Sequence, residues 1–190
     1  ISGTGAAGTA IAKLLLKYGA KDIVMIDSQG IIFKERSGGL NAAKMEIARL
    51  TNPRSLRGTV EDALVGADVF IGVSAPNLLQ HVHISKMNKD AIVFAMSNPI
   101  PEIMPEEARK GGARVVATGR SDYPNQLNNV LAFPGIFRGA LDNGVKKITD
   151  AHKLKAAQAI AGLIKSPKFD RIIPGALDPR VVKAVAGVFK

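Results

Sequence analysis

The sequence predicts an α/β fold in which a mostly parallel sheet is doubly wound, with helices on both of its faces. Strand-like apolar runs alternate with helical patterns along most of the 190 residues, which is typical of parallel strands joined by crossover helices. The chain also begins with a glycine-rich turn between an apolar residue and a helical pattern. It contains no repeat, low-complexity tract or linker, so residues 1–190 are predicted to form one domain.

The glycine-rich turn (residues 3–8, hereafter the glycine turn) has the spacing Gly-x-Gly-x-x-Gly. In a dinucleotide site, Gly3 permits a tight turn, Gly5 lets a pyrophosphate approach the backbone, and Gly8 lets the helix pack on the strand. The helix start at Ala6 and Ala7 offers unpaired N–H groups to the phosphates. A glycine turn without a ligand is the alternative, but the surrounding pattern favours a Rossmann-like nucleotide site.

Asp27 supports this interpretation. The run 23–26 predicts a second strand, and Asp27 follows it, roughly twenty residues after the last glycine, where an acid binds a ribose 2′-hydroxyl. A carboxylate here favours NAD over NADP, because a 2′-phosphate would meet a negative charge. Lys34 or Arg36 could still reach a phosphate, so NADP is the alternative cofactor.

Two later strand patterns end in polar residues. The run 68–74 ends at Ser74, a small-residue edge that a nucleotide ribose could approach, although a simple strand-to-loop turn fits equally well. The run 91–96 leads to Asn98, which precedes Pro99 and is therefore favoured in extended conformations. Ligands of open α/β sheets lie beyond the carboxyl ends of the strands. Both residues are therefore candidates for the site, with an Asx turn as the alternative for Asn98.

An asparagine cluster follows the fifth strand pattern. If residues 126–130 are helical, Asn125, Asn128 and Asn129 share one face. Asparagine is a mediocre helix former, so three on one face indicate binding of a polar ligand. The alternative is a set of caps and turns around Pro124.

The remaining elements follow from apolar periodicity and from breakers such as Gly19 and Pro53. A further strand is predicted at 114–118. Helices are predicted at 40–50, 60–65, 84–87, 105–110, 149–164 and 180–189, and a helical pattern from 126 is interrupted at Pro134 and Gly135 and resumes to 142.

Composition excludes several classes of protein. The chain has no cysteine, and therefore no disulfide framework and no thiolate metal site. No apolar run reaches the roughly 18 residues of a membrane span, and no signal peptide is recognisable, so a cytoplasmic protein without membrane partners is expected. The net charge is +10, but the basic residues are dispersed. An anionic cofactor and substrate explain the charge without a nucleic-acid partner.

The start of the chain is abrupt. Only Ile1 and Ser2 precede the glycine turn, whereas a central strand needs about four more residues. We therefore expect the N-terminal part of the parent protein to be missing from these 190 residues.

Over essentially its whole length the chain resembles the nucleotide-binding domain of bacterial-type malic enzymes, NAD(P)-dependent oxidoreductases that decarboxylate malate. The markers are the glycine turn and the segments 26–30, 70–74, 97–102, 117–122 and 128–135. The resemblance implies that the glycine turn and Asp27 bind the pyrophosphate and adenosine ribose. It also implies that Asn98 binds the nicotinamide end near the substrate and that Asn129 hydrogen-bonds malate.

The resemblance further implies residues that this chain lacks. The family's catalytic tyrosine and lysine, and its three acidic ligands for Mg²⁺ or Mn²⁺, lie N-terminal to the glycine turn. No catalytic residue and no metal ligand is therefore expected within residues 1–190, and the isolated piece is expected to bind nucleotide weakly and to catalyse nothing. A homodimer or larger homo-oligomer is also implied.

Two alternatives remain open at this point. A malolactic enzyme, which converts malate to lactate and retains NAD, would share this domain, so product analysis is needed to separate it from an enzyme that releases pyruvate. A non-catalytic NAD-binding regulatory module belongs to another class, and the asparagine cluster argues against it.

Overall fold

The structure, a computed structural model, describes residues 1–190, and its backbone divides into two compact units. Unit 1 comprises Ile1–Thr118 and unit 2 comprises Gly119–Lys190. Each unit has its own buried apolar clusters.

Unit 1 is built on a parallel sheet. Its strands are β1 (Ile26–Asp27), β2 (Gly30–Ile31), β3 (Val69–Gly72), β4 (Ile92–Ala95) and β5 (Val115–Thr118). The last three pair in parallel in the order β3-β4-β5. Ser2 forms parallel bridges to Ile26 and to Gly72, so it continues the sheet between β1 and β3. This arrangement brings the carboxyl ends of β1, β3 and β4 to the edge where the glycine turn lies.

Five helices connect these strands: α1 (Ala6–Tyr18), α2 (Ala42–Leu50), α3 (Val60–Leu64), α4 (His81–Ile84) and α5 (Pro105–Lys110). One apolar cluster packs α3, α4 and α5 residues such as Leu64, Ile84 and Ala108 with residues of β3, β4 and β5. A second cluster joins Ala12 of α1 to Ile47 of α2. Helix bounds agree with the predicted ones within two residues for α2, α3 and α5, the last of which begins at a proline. The helix predicted at 84–87 instead lies at His81–Ile84.

The predicted strand at 23–26 is only partly correct. Only Ile26 of this run forms a ladder, and β1 turns back at once into β2 as an antiparallel hairpin. Gly30 has a φ of 108°, which permits this turn. Ile23 and Met25 are buried in the second cluster. The run still makes strand-like backbone contacts, since the Ile32 amide donates to the Met25 carbonyl at 2.8 Å and the Ile26 amide donates to the Ile1 carbonyl at 2.9 Å.

His81 and His83 both lie on α4. His81 Nδ1 lies 3.0 Å from Glu107 on α5, and His83 Nδ1 accepts the amide of Gln80. These contacts cap and join short helices.

Unit 2 is helical. It contains α6 (Phe133–Asp142), α7 (Asp150–Ala161) and α8 (Arg180–Ala186), with 3₁₀ turns at Asn129–Leu131 and Gly187–Phe189. Two glycines of α6 allow close packing on α8, because a Cβ at Gly135 would lie 2.5 Å from Val185 Cβ and one at Gly139 would lie 2.6 Å from the Ala186 carbonyl oxygen. Pro134 was predicted to interrupt a helix, but it lies in the first turn of α6, where its missing N–H costs no hydrogen bond.

The predicted helical asparagine face is wrong. Residues 126–128 are not helical, and Asn125 has a φ of 58°, in the left-handed region. Its side chain is buried, donates to the Phe169 carbonyl at 2.9 Å and accepts the Ile172 amide at 2.9 Å. Asn128 caps the 3₁₀ turn by accepting the Val130 amide. The alternative of caps and turn bonds is therefore correct for both of these residues.

Replacing Asn125 with alanine is expected to destabilise the protein by about 2 kcal/mol, because the Phe169 carbonyl and the Ile172 amide lose their buried partner and alanine disfavours positive φ. Denaturant unfolding of the complete protein measures this change. The exposed Asn129 provides the matched control, since Asn129→Ala should change stability by less than about 0.5 kcal/mol. Equal effects of the two substitutions would contradict the structural role of Asn125.

No helix in the structure combines the length and apolar character that crossing a membrane requires.

Candidate functional site

A cavity of about 870 Å³ lies in unit 1 where the strand ends meet the glycine turn. Gly3, Gly5, Asp27 and Ser74 all contribute to its wall, so the structure brings together four of the residues that the sequence predicted for one site. Residues that the sequence analysis did not single out complete the wall, including Gln29, Asn41, Lys44, Thr59 and Leu78.

The glycine turn has the steric relations that its spacing predicts. Gly3 has a φ of 108°, and a Cβ at Gly8 would lie 1.8 Å from the Gly3 carbonyl oxygen. Gly5, in contrast, has no atom within 4 Å of an added Cβ, so its missing side chain leaves open space beside the cavity. Gly3 and Gly8 thus build the turn, and Gly5 leaves an approach to the backbone.

The start of α1 is suited to an anion. Its N-cap is Gly5, which provides no side-chain hydrogen bond, and its first turn has no acidic residue. The first N–H groups of the helix, which begins with Ala6 and Ala7, therefore lack side-chain acceptors at the positive end of a 13-residue helix. A phosphate group fits both the hydrogen-bonding and the electrostatic character of this end.

Asp27 is held by two cations. Arg36 donates to both carboxylate oxygens at 2.9 and 2.6 Å, and Lys44 Nζ donates to Oδ2 at 2.6 Å. The amide of Gln29 donates to Oδ1 at 2.9 Å. Burial by itself would raise the pKa of Asp27, but hydrogen bonds from Arg36, Lys44 and Gln29 outweigh it and hold this pKa far below its ordinary value. Asp27 is therefore a carboxylate whose charge is already compensated.

The two cations differ in accessibility. The Arg36 side chain is 9% exposed and that of Lys44 is 23% exposed. Arg36 is fixed beneath the carboxylate, and its Nε is buried without a hydrogen-bond partner. Lys44 lines the cavity, so it is the cation that a ligand bound in the cavity could contact.

The structure identifies Lys44, and not Lys34 or Arg36, as the cation that could bind a phosphate in the cavity. Lys34, one of the two cations that the sequence indicated, lines a separate pocket with Arg49, Leu50 and Asn52. Arg36, the other residue expected to reach a phosphate, donates to both carboxylate oxygens of Asp27 instead. Lys44 was missed because it is 17 residues beyond Asp27 in the chain and reaches the site only through the placement of α2.

Ser74 links the β3 loop to the glycine turn. Its hydroxyl lies 2.9 Å from the hydroxyl of the buried Ser2, and its amide donates to Glu102 Oε1 at 2.8 Å. Glu102 is fully buried and was noted in the sequence only as part of a family marker. A lone glutamate in a proline-containing segment gives no periodic signal that could have identified this contact.

Asn98 and Asn129 are both exposed. Asn98 follows β4, and the amide of its neighbour Ser97 donates to Glu102 Oε2 at 3.0 Å, but Asn98 is not among the residues that line the cavity. Asn129 begins the 3₁₀ turn in unit 2. The roles of these two residues in binding nicotinamide and malate stay predictions.

No group of three or more histidine, aspartate or glutamate side chains is arranged to hold a metal ion. The residues of this chain therefore do not fit the Mg²⁺ or Mn²⁺ site that the family resemblance implies for the parent protein.

Comparison with known proteins identifies the family. The model of the malic enzyme NAD-binding domain matches residues 1–186. The bifunctional malic/malolactic enzyme of Bacillus subtilis is 54% identical over 187 residues, which are 97% of this chain and 46% of that protein. The NADP-dependent malic enzyme of Rhizobium meliloti is 43% identical over 97% of this chain and 26% of its own length.

Crystal structures agree with the sequence comparison. The NAD-dependent malic enzyme of Thermotoga maritima superposes with a TM-score of 0.94 at 49% identity, covering 100% of this chain and 50% of that chain. The chain thus spans half or less of the length of these relatives. The match confirms the predicted Rossmann-like fold, and the chain belongs to the malic enzyme NAD-binding domain family.

Proposed function

We propose that this chain is the cofactor-binding part of an enzyme that oxidatively decarboxylates malate to pyruvate and CO₂ with reduction of NAD or NADP. The observation that carries the proposal is the cavity in unit 1, whose wall includes both Gly5, the N-cap of a helix without a side-chain cap, and Asp27, a compensated carboxylate. When bound, the nicotinamide would accept the hydride from C2 of malate. The residues of this chain serve to bind and orient.

Each part of the site has a defined task in this proposal. The first N–H groups of α1 bind the pyrophosphate, which approaches over Gly5. Asp27 faces the adenosine ribose. Ser74 and Asn98 flank the nicotinamide half, and a hydrogen bond to malate is proposed for Asn98 and, separately, for Asn129. Holding cofactor and substrate in a reactive orientation is worth several orders of magnitude in rate without any chemical group from this chain.

The divalent metal, the proton-transfer residues and the oligomeric state belong to the complete protein in this proposal. Mg²⁺ or Mn²⁺ would be held by residues outside this chain, as would the tyrosine and lysine that the family resemblance implies. We propose a homodimer or larger assembly in the cytoplasm, and sedimentation analysis of the complete protein tests its size.

We infer that NAD is the preferred cofactor and that Lys44 permits NADP as well. A carboxylate offers about four lone-pair sites, and Arg36, Lys44 and the Gln29 amide make four hydrogen bonds to Asp27. A ribose hydroxyl would therefore displace Lys44, the more exposed of the two cations. A 2′-phosphate would instead draw Lys44 toward itself, while Arg36 continues to compensate Asp27.

Substituting Lys44→Met is expected to lower kcat/KM for NADP about tenfold, because one charge-assisted hydrogen bond to the 2′-phosphate is lost. The value for NAD should change less than threefold. Initial rates of the complete protein with each cofactor measure the ratio. Lys34→Met, in the separate pocket, is the matched control and should leave the ratio unchanged. An unchanged ratio in Lys44→Met would remove Lys44 from cofactor selection.

A malolactic reaction is the second candidate function, favoured by the 54% identical relative that is named as both a malic and a malolactic enzyme. It uses the same cofactor site but converts malate to lactate without net reduction of NAD. Both proposals use the same cofactor cavity, so the products must distinguish them.

The deciding experiment supplies the complete protein with malate, Mn²⁺ and either NAD or NADP. Formation of reduced nicotinamide with an equal amount of pyruvate supports the malic-enzyme proposal and identifies the cofactor. Lactate without net reduction supports the malolactic proposal. Cofactor binding without turnover of malate would contradict both and favour a non-catalytic NAD-binding module.

A further inference from the structure

Glu102 is a buried carboxylate that joins two loops. Its side chain has no exposed surface, which is rare for glutamate. Oε1 accepts the amide of Ser74 at 2.8 Å, and Oε2 accepts the amide of Ser97 at 3.0 Å. Ser74 follows β3 and Ser97 follows β4, so one side chain connects the loops that leave the carboxyl ends of two adjacent parallel strands.

Gly72, at the end of β3, leaves the space that the Glu102 carboxylate occupies. A Cβ at Gly72 would lie 2.4 Å from Glu102 Cδ and 2.7 Å from each carboxylate oxygen. Any side chain at position 72 would therefore displace the carboxylate from its two amides. The glycine and the glutamate form one unit of the structure although they are 30 positions apart.

The backbone around Glu102 is tied to the same loop. The Leu79 amide donates to the Glu102 carbonyl at 2.9 Å, and the Asn77 amide donates to the Pro101 carbonyl at 3.0 Å. Residues 74–79 are thus held to residues 101–102 along their length. The side chain of Glu102 adds the connection from this pair of segments to the end of β4.

The connection continues to the glycine turn. The hydroxyl of Ser74 lies 2.9 Å from that of Ser2, which directly precedes Gly3. A series of hydrogen bonds therefore connects Ser2, which precedes the glycine turn, through Ser74 and Glu102 to Ser97, the neighbour of Asn98. Hydrogen bonds are electrostatically stronger in a buried, low-dielectric setting than in water, so these contacts are suited to fixing the distances between the loops.

We propose that Glu102 is a positioning residue that sets the spacing between the β3 loop, whose Ser74 lines the cavity, and the β4 loop, which carries Asn98. The inference rests on the proposed function, since it takes these loops as the nicotinamide side of the cofactor site. Orientation of the reacting ring is sensitive to displacements of about an ångström. The adenosine side, formed by the start of α1 and Asp27, does not contact Glu102.

The test is Glu102→Gln in the complete protein. The amide has the same shape but can accept only one of the two backbone N–H groups, and its own NH₂ group faces the other. We expect kcat with malate to fall about tenfold or more and the Kd of NADH, measured by calorimetry, to rise about tenfold. The Kd of ADP-ribose, which lacks the nicotinamide, should stay within about twofold of the wild-type value.

Glu102→Asp provides a second variant that keeps the carboxyl group but is one methylene too short to reach both amides, and it should show the same pattern. Glu106→Gln, an exposed glutamate on α5, is the control and should leave both Kd values unchanged. A full kcat and NADH affinity in Glu102→Gln would overturn the proposal. So would an equal loss of NADH and ADP-ribose affinity, which indicates a general structural role.

Failure of the proposed function would be seen in the wild-type protein itself, whereas failure of the role of Glu102 would be seen only in its variants. A wild type that binds neither NADH nor ADP-ribose contradicts the cofactor site itself and the role of Glu102 with it. A wild type that binds both but does not turn over malate contradicts only the proposed reaction. In that case the ratio of the two Kd values still decides the role of Glu102.

Discussion

Replacing Gly8 with alanine should abolish cofactor binding and destabilise the protein by about 3 kcal/mol or more. The added Cβ would lie 1.8 Å from the Gly3 carbonyl oxygen and 3.3 Å from a Val73 methyl group. The first of these is a backbone atom that cannot rotate away, so α1 must move relative to the turn. Since α1 presents its N–H groups from this position, the same movement that relieves the clash removes the proposed phosphate site.

Gly5→Ala separates these two effects. An added Cβ at Gly5 meets no atom within 4 Å, so stability should change by less than about 1 kcal/mol. The methyl group would nevertheless occupy the space through which the pyrophosphate approaches, and the Kd of NADH should rise at least about tenfold. Thermal unfolding and calorimetric titration of the complete protein measure both quantities.

Gly187→Ala is the control for glycine replacement as such. Position 187 has helical φ and ψ, and an added Cβ there meets no neighbour. This substitution should be neutral or slightly stabilising, with unchanged cofactor affinity. A Gly8→Ala protein with wild-type stability and NADH binding would show that α1 is not held against the turn as the structure indicates.

The glycine turn could be predicted from the sequence because its requirements are local. The spacing of Gly3, Gly5 and Gly8 encodes one turn, and the predicted steric roles agree with the contacts that an added Cβ would make at each position. Asp27 was found by the same kind of rule, a fixed distance from the last glycine. Such signals depend on a few consecutive residues and do not require knowledge of the tertiary structure.

Lys44 and Glu102 could not be found in this way, because their partners are distant in the chain. Lys44 reaches Asp27 only because α2 packs beside the β1–β2 hairpin, and Glu102 reaches Ser74 across 28 positions. The prediction for Asn125 failed for a local reason. Helical spacing was assumed for a residue whose left-handed backbone and buried amide place it in a turn, and periodicity cannot distinguish the two.

Asp27→Ala should lower the free energy of unfolding by about 3 kcal/mol at neutral pH. The side chain of Asp27 is 6% exposed and that of Arg36 is 9% exposed, so the substitution leaves a buried guanidinium without its counter-ion. Repulsion between Arg36 and Lys44, no longer separated by a carboxylate, adds to the loss. The Kd of NAD should rise at least about tenfold, because the ribose also loses its acceptor.

The control is Glu46→Ala, which removes an exposed partner of Lys13. Exposed ion pairs contribute little, so this substitution should change the free energy of unfolding by less than about 0.5 kcal/mol. A similar effect of both substitutions would indicate that the cluster of Asp27, Arg36 and Lys44 is open to solvent in the folded protein.

The pH dependence of the Asp27→Ala effect identifies the carboxylate as its source. The pKa of Asp27 is lowered in the folded protein, whereas in the unfolded chain it is about 4. Below about pH 4 the unfolded state therefore binds a proton that the folded state does not, and the stabilisation by Asp27 declines as the pH falls. The difference between wild type and Asp27→Ala should be constant above about pH 5 and should narrow toward pH 2. A difference that does not vary with pH would mean that packing, and not the charge of Asp27, stabilises this side of the cofactor site.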